Sequence, residues 1–492
     1  MTSSFWIAAV VAVPVFGAVL VPVAARIAPK REKLLSLLLG VITVLAACRL
    51  LVAASHGESI SYSITFPMGF GLTLYSDYLA AFAAVVSSSI SAVIIYYSNG
   101  YITESRGHAE YYSMVTLFLG SMMGLVFSQN LIWMFVFWEI TAVCSWRLVG
   151  YYRGEKELLK ANKTFLVTVF GALCMLLGIA AIYAYNGTVD LGHLRGQMLP
   201  DFAVLMLMLG IFSKSATLPF STWLPDAGVA PSPVTALLHA AVLVKIGVYA
   251  FARIFCATSP MDPVWSMCIL YVAGASTIIS AGAALVETDI KRIIAYSTIS
   301  QIGFIFLGFA VMNDVGIGGA ALYILMHGVA KAGLFLCAGI IEHKAHTKDI
   351  TKMGGLFKTM PVTAVAFGLC AFSVMGIPPF GGFFCKLMVL RGAAAFGHPE
   401  ILMMFVFGAV LTIIYLLRLF YAVFMGTQRP AENRGHEAAP QMLASVTALG
   451  VASLLLGIFI YYPAHYAQTM CLEMGFGSSI RAAASVLPGV SR

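Results

Sequence analysis

The sequence predicts an all-α integral membrane protein with about 14 transmembrane helices, and three observations carry that expectation. First, 60% of the 492 residues are hydrophobic and only 10% are charged. A soluble domain carries about 25% charged residues, so a water-soluble fold of this length has too few charges to cover its surface. Second, the chain divides into fourteen apolar stretches, each near the ~20 residues needed to cross a hydrocarbon core. Third, no connection is large or apolar enough to fold as a soluble domain, so residues 1–492 read as one polytopic membrane domain.

In order, the spans are 4–28, 33–54, 75–97, 110–128, 130–151, 161–186, 201–224, 231–254, 264–286, 292–312, 317–342, 361–390, 400–426 and 440–462. Residues 463–492 form a short C-terminal tail. No basic residue precedes the first span, while Arg26, Lys30, Arg31 and Lys33 follow it. That is the reverse of a cleavable leader, and the first span is expected to be retained.

Basic residues are unevenly shared between the two sides. With the N-terminus outside, the inner loops hold Arg26, Lys30, Arg31, Lys33, Arg106, Arg153, Lys156, Lys160, Lys163, Lys291, Arg292, Lys344, Lys348, Lys352, Lys358, Arg429 and Arg434, which is 17. The outer ends hold 4: Arg49, Arg195, Arg253 and Arg391. The tail adds Arg481 and Arg492. The positive-inside rule then puts both termini on the outer, periplasmic side of a prokaryotic plasma membrane. This distribution accounts for the net charge of +8 without nucleic-acid binding.

Nine cysteines stand at 48, 144, 174, 256, 268, 337, 370, 385 and 471, none at metal-ligand or disulfide spacing. There is no iron–sulfur ligand set, no dinucleotide fingerprint and no phosphate loop. No cofactor and no metal are expected, and any redox chemistry belongs to other subunits.

Six basic residues remain, all inside apolar stretches: Arg147, Lys214, Lys245, Lys331, Lys386 and Arg418. The two arginines lie near helix ends, where snorkelling to the headgroups explains them. The four lysines lie deep within their spans. A charge near mid-membrane costs at least ~2.5–3.5 kcal/mol, so four of them are kept for more than stability. Glu139, in WMFVFWEITAV, is the matching acid. His239 lies six residues before Lys245, and His327 four before Lys331, which puts the second pair on one helix face. A lone buried histidine is ordinarily a hydrogen-bonded core residue. Two of them, each beside a buried lysine, suit proton relay.

Two spans carry breakers. Span seven reads KSATLPFSTWLPDAG, with Pro219 and Pro225; span twelve reads GIPPFGGFF, with Pro378, Pro379, Gly381 and Gly382. Proline interrupts the backbone ladder, and lipid cannot satisfy the freed carbonyls, so both breaks are expected to border protein or hydrated cavities. The chain also repeats weakly: LLHAAVLVKIGVYAF in span eight resembles LMHGVAKAGLFLCAG in span eleven. Two five-span units, residues 110–254 and 264–426, would have opposite orientation, the inverted-repeat plan of many transporters.

These residues resemble a known family. KSATLPFSTWLPDAGVAPSPVTALLHAAVLVKIGVY, ETDIKRIIAYSTISQIGF, HGVAKAGLFLCAG, GIPPFGGFFCK and the FWE of span five are similar, in order, to blocks of the antiporter-like proton-translocating subunits of respiratory complex I, membrane-bound nickel–iron hydrogenases and Mrp-type cation/proton antiporters. The resemblance covers about residues 75–425. It implies two inverted five-helix repeats (helices 4–8 and 9–13) with helices 7 and 12 broken. It implies a glutamate–lysine pair at Glu139 and Lys214, the helix-8 lysine at Lys245, a central relay at His327 and Lys331, and a terminal site at Lys386. Ser221 stands where relatives often have histidine, and Ala172 where many have aspartate. The chain ends soon after span fourteen, without the long lateral helix of the largest complex I homologue, which favours a medium-sized subunit.

The leading expectation is therefore a proton-translocating subunit of a redox-driven pump, complex I-like or hydrogenase-like, with no redox centre of its own. Protons would pass through Glu139, Lys214, Lys245, His239, His327, Lys331 and Lys386. The alternative is an Mrp-type sodium/proton antiporter subunit without redox input. A structural anchor with inert polar sites is disfavoured by the presence of all four lysines. The partners implied are other membrane subunits, peripheral redox subunits reached indirectly, lipid, and protons or sodium; no nucleic acid is implied.

Overall fold

The computed structural model describes residues 3–28, 30–65, 71–102, 107–427 and 437–476. The expected positions of Arg106, Arg429, Arg434, Arg481 and Arg492 lie outside these residues, as does 477–492 of the tail. Helices dominate: α1 (Ser3–Ile27), α2 (Arg31–Ser55), α3 (Tyr78–Tyr101), α4 (His108–Phe127), α5 (Leu131–Val149), α6 (Glu155–Asn186), α7 (Leu191–Leu194), α8 (Asp201–Lys214), α9 (Trp223–Asp226), α10 (Ser232–Ala236) and α11 (Leu243–Phe251). They continue as α12 (Pro263–Val286), α13 (Ile290–Ala310), α14 (Asp314–Ala345), α15 (Pro361–Met375), α16 (Gly381–Phe396), α17 (Pro399–Phe424), α18 (Pro440–Ile458) and α19 (Tyr461–Glu473).

Among the described residues, 12 helical spans are long and apolar enough to cross a membrane. Spans seven and twelve of the sequence reading are not among them. Their helices α8, α15 and α16 have 14, 15 and 16 residues, because the chain leaves the helical path at 215–222 and 376–380. Leu218–Pro219 and Pro378–Pro379 are cis. Two features had no counterpart in the sequence reading. An antiparallel hairpin, β1 (Ile60–Thr65) and β2 (Gly71–Ser76), lies between α2 and α3. The tail opens with α19.

Polar residues set the helix starts. Asp77, Asn130, Asp262, Asp289 and Asn313 each accept a hydrogen bond from a backbone N–H in the first turn of α3, α5, α12, α13 and α14, satisfying donors that a helix leaves open. α6 starts six residues before the expected span, with Glu155 and Glu157 in its first turn, where they oppose the helix dipole.

Two compact units are present: residues 1–215 with 241–261, and residues 216–240 with 262–492. In the first unit α6 and α8 approach closely. A Cβ on Gly171 would lie 1.7 Å from Ser213 Oγ, so only glycine permits this contact. In the second unit a Cβ on Gly382 would lie 1.8 Å from the Ser373 carbonyl oxygen, which brings α16 against the end of α15 across the break.

One backbone pattern recurs. In the first unit Leu131 N–H donates to the Val189 carbonyl (3.0 Å) and Leu191 N–H to Gln129 (2.8 Å). In the second, Ile290 N–H donates to Lys348 and Ile350 N–H to Thr288, both at 2.9 Å. Each position in the second pair of bonds is the first plus 159. At the breaks, Phe220 N–H reaches the Thr217 carbonyl (2.8 Å), and Phe380 N–H that of Ile377 (3.1 Å), a shift of 160.

Candidate functional site

Three of the sequence-predicted groups belong to the first unit. Lys214 ends α8 with no exposed surface. Its ammonium donates to the Trp138 carbonyl at 3.0 Å and lies 5.4 Å from the Trp138 ring centroid. Glu139 is the next residue along α5. It forms no ion pair with Lys214 within 4 Å, and its Oε1 is buried without a hydrogen-bond partner. The two are still near enough to act on each other electrostatically. The expected pair is thus a proximity across α5 and α8 rather than a contact, because the Trp138 carbonyl occupies the lysine. Lys245 is buried on α11.

The helical span Ser232–Cys256 is irregular on both sides of Lys245. Residues 237–241 and 252–256 are π-helical turns, and Val242 leaves the helical region at φ −129°, ψ −72°. Such insertions recur at functional positions. His239 sits in the first of them. It belongs to the second unit, with its ring 4.4 Å from that of Phe335 and neither nitrogen hydrogen-bonded among the described residues.

His327, Lys331 and Lys386 complete the second unit's set, all buried. Lys331, one turn after His327 on α14, donates to the Ile294 carbonyl (3.2 Å) and to Ser297 Oγ (2.5 Å) on α13. Lys386 donates to the carbonyls of Val374 (2.8 Å) and Met375 (3.3 Å), which the break after α15 leaves without helical partners. Its ammonium is 5.1 Å from the Phe304 ring centroid. Lys331 lies within electrostatic reach of both His239 and Lys386. So the second unit brings His239, Lys331 and Lys386 together, and Lys386 and Lys214 share one solution: a buried ammonium held by backbone carbonyls at a helix end or break.

Several charged groups around these sites were missed in the sequence. In the second unit, alternate residues of 226–232 are each held by a charged side chain. Asp226 accepts from Arg292 (3.0 Å), the Gly228 carbonyl from Lys348 (3.4 Å) and the Ala230 carbonyl from Lys291 (3.1 Å), while Ser232 donates to Glu342 (3.3 Å). Glu342 bridges Lys291 (2.6 Å) and Lys348 (3.1 Å). Burial alone raises the Glu287 carboxyl, but Arg292 and two backbone N–H donors hold it below the usual range. Arg147 is not a snorkelling residue: it pairs with Glu110, whose other oxygen takes Arg153 at 2.7 Å. Arg418 donates to the Glu287 carbonyl (3.0 and 3.1 Å), closing the C-terminal end of α12.

Residues 128–412 match the family model of the NADH:quinone oxidoreductase/Mrp antiporter transmembrane family. The chain belongs to that family. The match encloses Glu139, Lys214, His239, Lys245, His327, Lys331 and Lys386. Within the family, the chain is 33% identical over 454 residues to a Na(+)/H(+) antiporter protein of Alkalihalophilus pseudofirmus, covering 82% of this chain and 55% of that one. It is 31% identical to a Na(+)/H(+) antiporter protein of Staphylococcus haemolyticus (80% and 53%) and to NAD(P)H-quinone oxidoreductase chain 5 of Synechocystis (82% and 61%). The chain therefore spans about half the length of the relatives it matches. The fold matches a chain in the Mrp complex from Dietzia sp. (TM-score 0.88, 24% identity, 96% and 98% covered). It also matches one in an archaeal membrane-bound sulfane sulfur reductase (0.86, 23%, 98% and 99%).

Proposed function

We propose that the chain is the antiporter-like, proton-translocating module of a multi-subunit cation/proton exchanger. It would sit in a prokaryotic plasma membrane with both termini outside. The observation that carries this is the set of four buried lysines, none with a carboxylate contact among the interactions described and two held by backbone carbonyls alone. A lysine kept for stability is expected to be ion-paired; one that must gain and lose a proton is better served by neutral partners that tolerate both states. Lysine, unlike arginine, changes state readily when its surroundings change.

In this reading Glu139 biases Lys214, and Lys245 carries the proton on within the first unit. His239, His327, Lys331 and Lys386 form the corresponding set in the second unit. His239 and Lys245 are joined through one helical span. The backbone recurrence at a spacing of 159 residues supports two repeats, 110–254 and 264–426, with the breaks at Pro219 and Pro379 in equivalent places. The sodium/proton antiporter relatives put cation exchange ahead of the redox-driven pump that the sequence placed first.

A second reading keeps the same proton path but drives it by electron transfer in partner subunits, as the 31% match to a quinone oxidoreductase chain favours. One experiment separates the two. Everted vesicles carrying the complete complex are given a proton gradient without an electron donor, and sodium is then added. Exchange predicts sodium-dependent collapse of the gradient. No collapse, together with proton uptake that requires a donor, refutes exchange in favour of the redox reading.

A further inference from the structure

Beside Lys331 lies a hydrogen-bonded cluster that the titrating set does not include. Ser297 Oγ on α13 receives the Lys331 ammonium at 2.5 Å and the Tyr415 hydroxyl of α17 at 2.7 Å. Gln301, one turn further along α13, donates to Thr412 of α17 (3.2 Å) and accepts from Tyr323 of α14 (2.5 Å). Both Gln301 and Thr412 also hydrogen-bond Tyr415. All six side chains are buried.

The donor directions settle what Ser297 does. An ammonium has only donors, so Ser297 must accept from Lys331, and it accepts from Tyr415 as well. Both lone-pair directions of its oxygen are therefore used, and its own hydrogen points elsewhere. When Lys331 gives up a proton, its nitrogen becomes an acceptor. The Ser297 hydroxyl then needs only to rotate to donate back to it. Tyr415 goes on donating to Ser297 in both states, held by Gln301 and Thr412. No heavy atom moves, and Lys331 has a partner whether charged or neutral.

We propose that Ser297 and Tyr415 are positioning residues for Lys331: Ser297 is a rotating hydroxyl that serves both protonation states, and Tyr415 fixes its oxygen in place. A preorganised partner of this kind lowers the reorganisation that accompanies each proton transfer. The inference rests on the reading of Lys331 as a site that titrates during turnover.

The test uses the complete complex in everted vesicles, with transport measured in H2O and D2O. A hydrogen bond to a charged group is worth enough to change a rate about tenfold or more. Ser297→Ala is expected to cut the maximal rate roughly tenfold and to raise the solvent isotope effect, leaving the half-saturating cation concentration unchanged. Ser297→Thr, which keeps the hydroxyl, restores the rate. Tyr415→Phe, which removes only an oxygen from a buried ring, gives a smaller loss of the same kind if Ser297→Ala fails to assemble. A merely structural role would not move the isotope effect or discriminate Thr from Ala. Parent-like rate and isotope effect in assembled Ser297→Ala or Tyr415→Phe, with Lys331→Ala inactive, overturn this inference and leave the proton path standing. Full activity in Lys331→Ala overturns the path itself.

Discussion

Replacing Lys214 tests the proposed path most directly, because its surroundings allow stability and transport to be separated. The ammonium has no exposed surface, one carbonyl acceptor and one aromatic face. Lys214→Met removes an ion whose burial costs several kcal/mol. It also loses one hydrogen bond to a charged donor, about 1.5–3 kcal/mol, and a cation–π contact of up to about 2 kcal/mol. These oppose each other, so the variant is expected to assemble with stability within about 2 kcal/mol of the parent, while proton transport falls to background. Lys214→Arg makes the opposite change. Reference proton affinities of guanidinium and amine differ by roughly 2–3 pKa units, so a site that must release its proton is about 100- to 1,000-fold less often deprotonated. Transport is expected to fall by that order with the charge retained. The assay is proton flux in vesicles, normalised to assembled complex by blotting. Parent-like flux in either assembled variant would refute Lys214 as a proton carrier. Loss of flux in strict proportion to loss of complex would reduce it to a structural charge.

Two further outcomes follow from the same structure. Lys352 is exposed at the end of the short helical turn Ile350–Lys352, and the proposed orientation puts it on the cytoplasmic side. A cysteine there should resist an impermeant external reagent in intact cells and react in everted vesicles; labelling in intact cells rejects the orientation. Asp77 is held by Arg253 through both carboxylate oxygens, at 2.5 and 2.7 Å. Burial alone raises its pKa, but the guanidinium and the Ala80 N–H hold it below the usual range. A depressed carboxylate adds stability above its unfolded pKa, near 3.9, and loses that stability as pH falls through the folded value. Asp77→Asn should therefore destabilise by about 3 kcal/mol at pH 7, and the gap from the parent should close in acid below about pH 4. Equal melting temperatures at pH 7 would refute the assignment.

Membrane-spanning helices were legible because lipid imposes one strong rule: an apolar run of sufficient length must be helical. The starts of α3, α5, α12, α13 and α14 were marked by Asp or Asn. The β1–β2 hairpin was not legible, since ISYSIT and GLTLYS are too short and polar to stand out between long apolar runs. The internal repeat lies elsewhere than the side chains suggest. Spans eight and eleven share a histidine and a lysine, but the backbone bonds recur after 159 residues, which relates span eight to span thirteen. On that spacing Lys331 corresponds to Ala172. Titratable residues are placed by chemistry while the caps and bridges that define the repeat are placed by the backbone, so the two patterns need not coincide.

The same distinction explains what was visible in the site. Each buried lysine announced itself through its cost, since one formal charge in an apolar run is a large signal. Their partners carry none. Ser297, Thr412, Tyr323 and Tyr415 are ordinary residues in helices, and only three-dimensional proximity makes them a network. The carbonyls of Trp138, Val374 and Met375 have no side-chain identity at all. Glu342, Lys291 and Lys348 were visible as loop-end charges and entered only the count that sets orientation. Their role in holding residues 226–232 depends on α13, α14 and the segment before α10 meeting at one end of the second unit. Sequence reading finds the groups whose burial is expensive. The neutral groups that let those charges come and go become visible only when the helices are placed, and for a proton path they decide the rate.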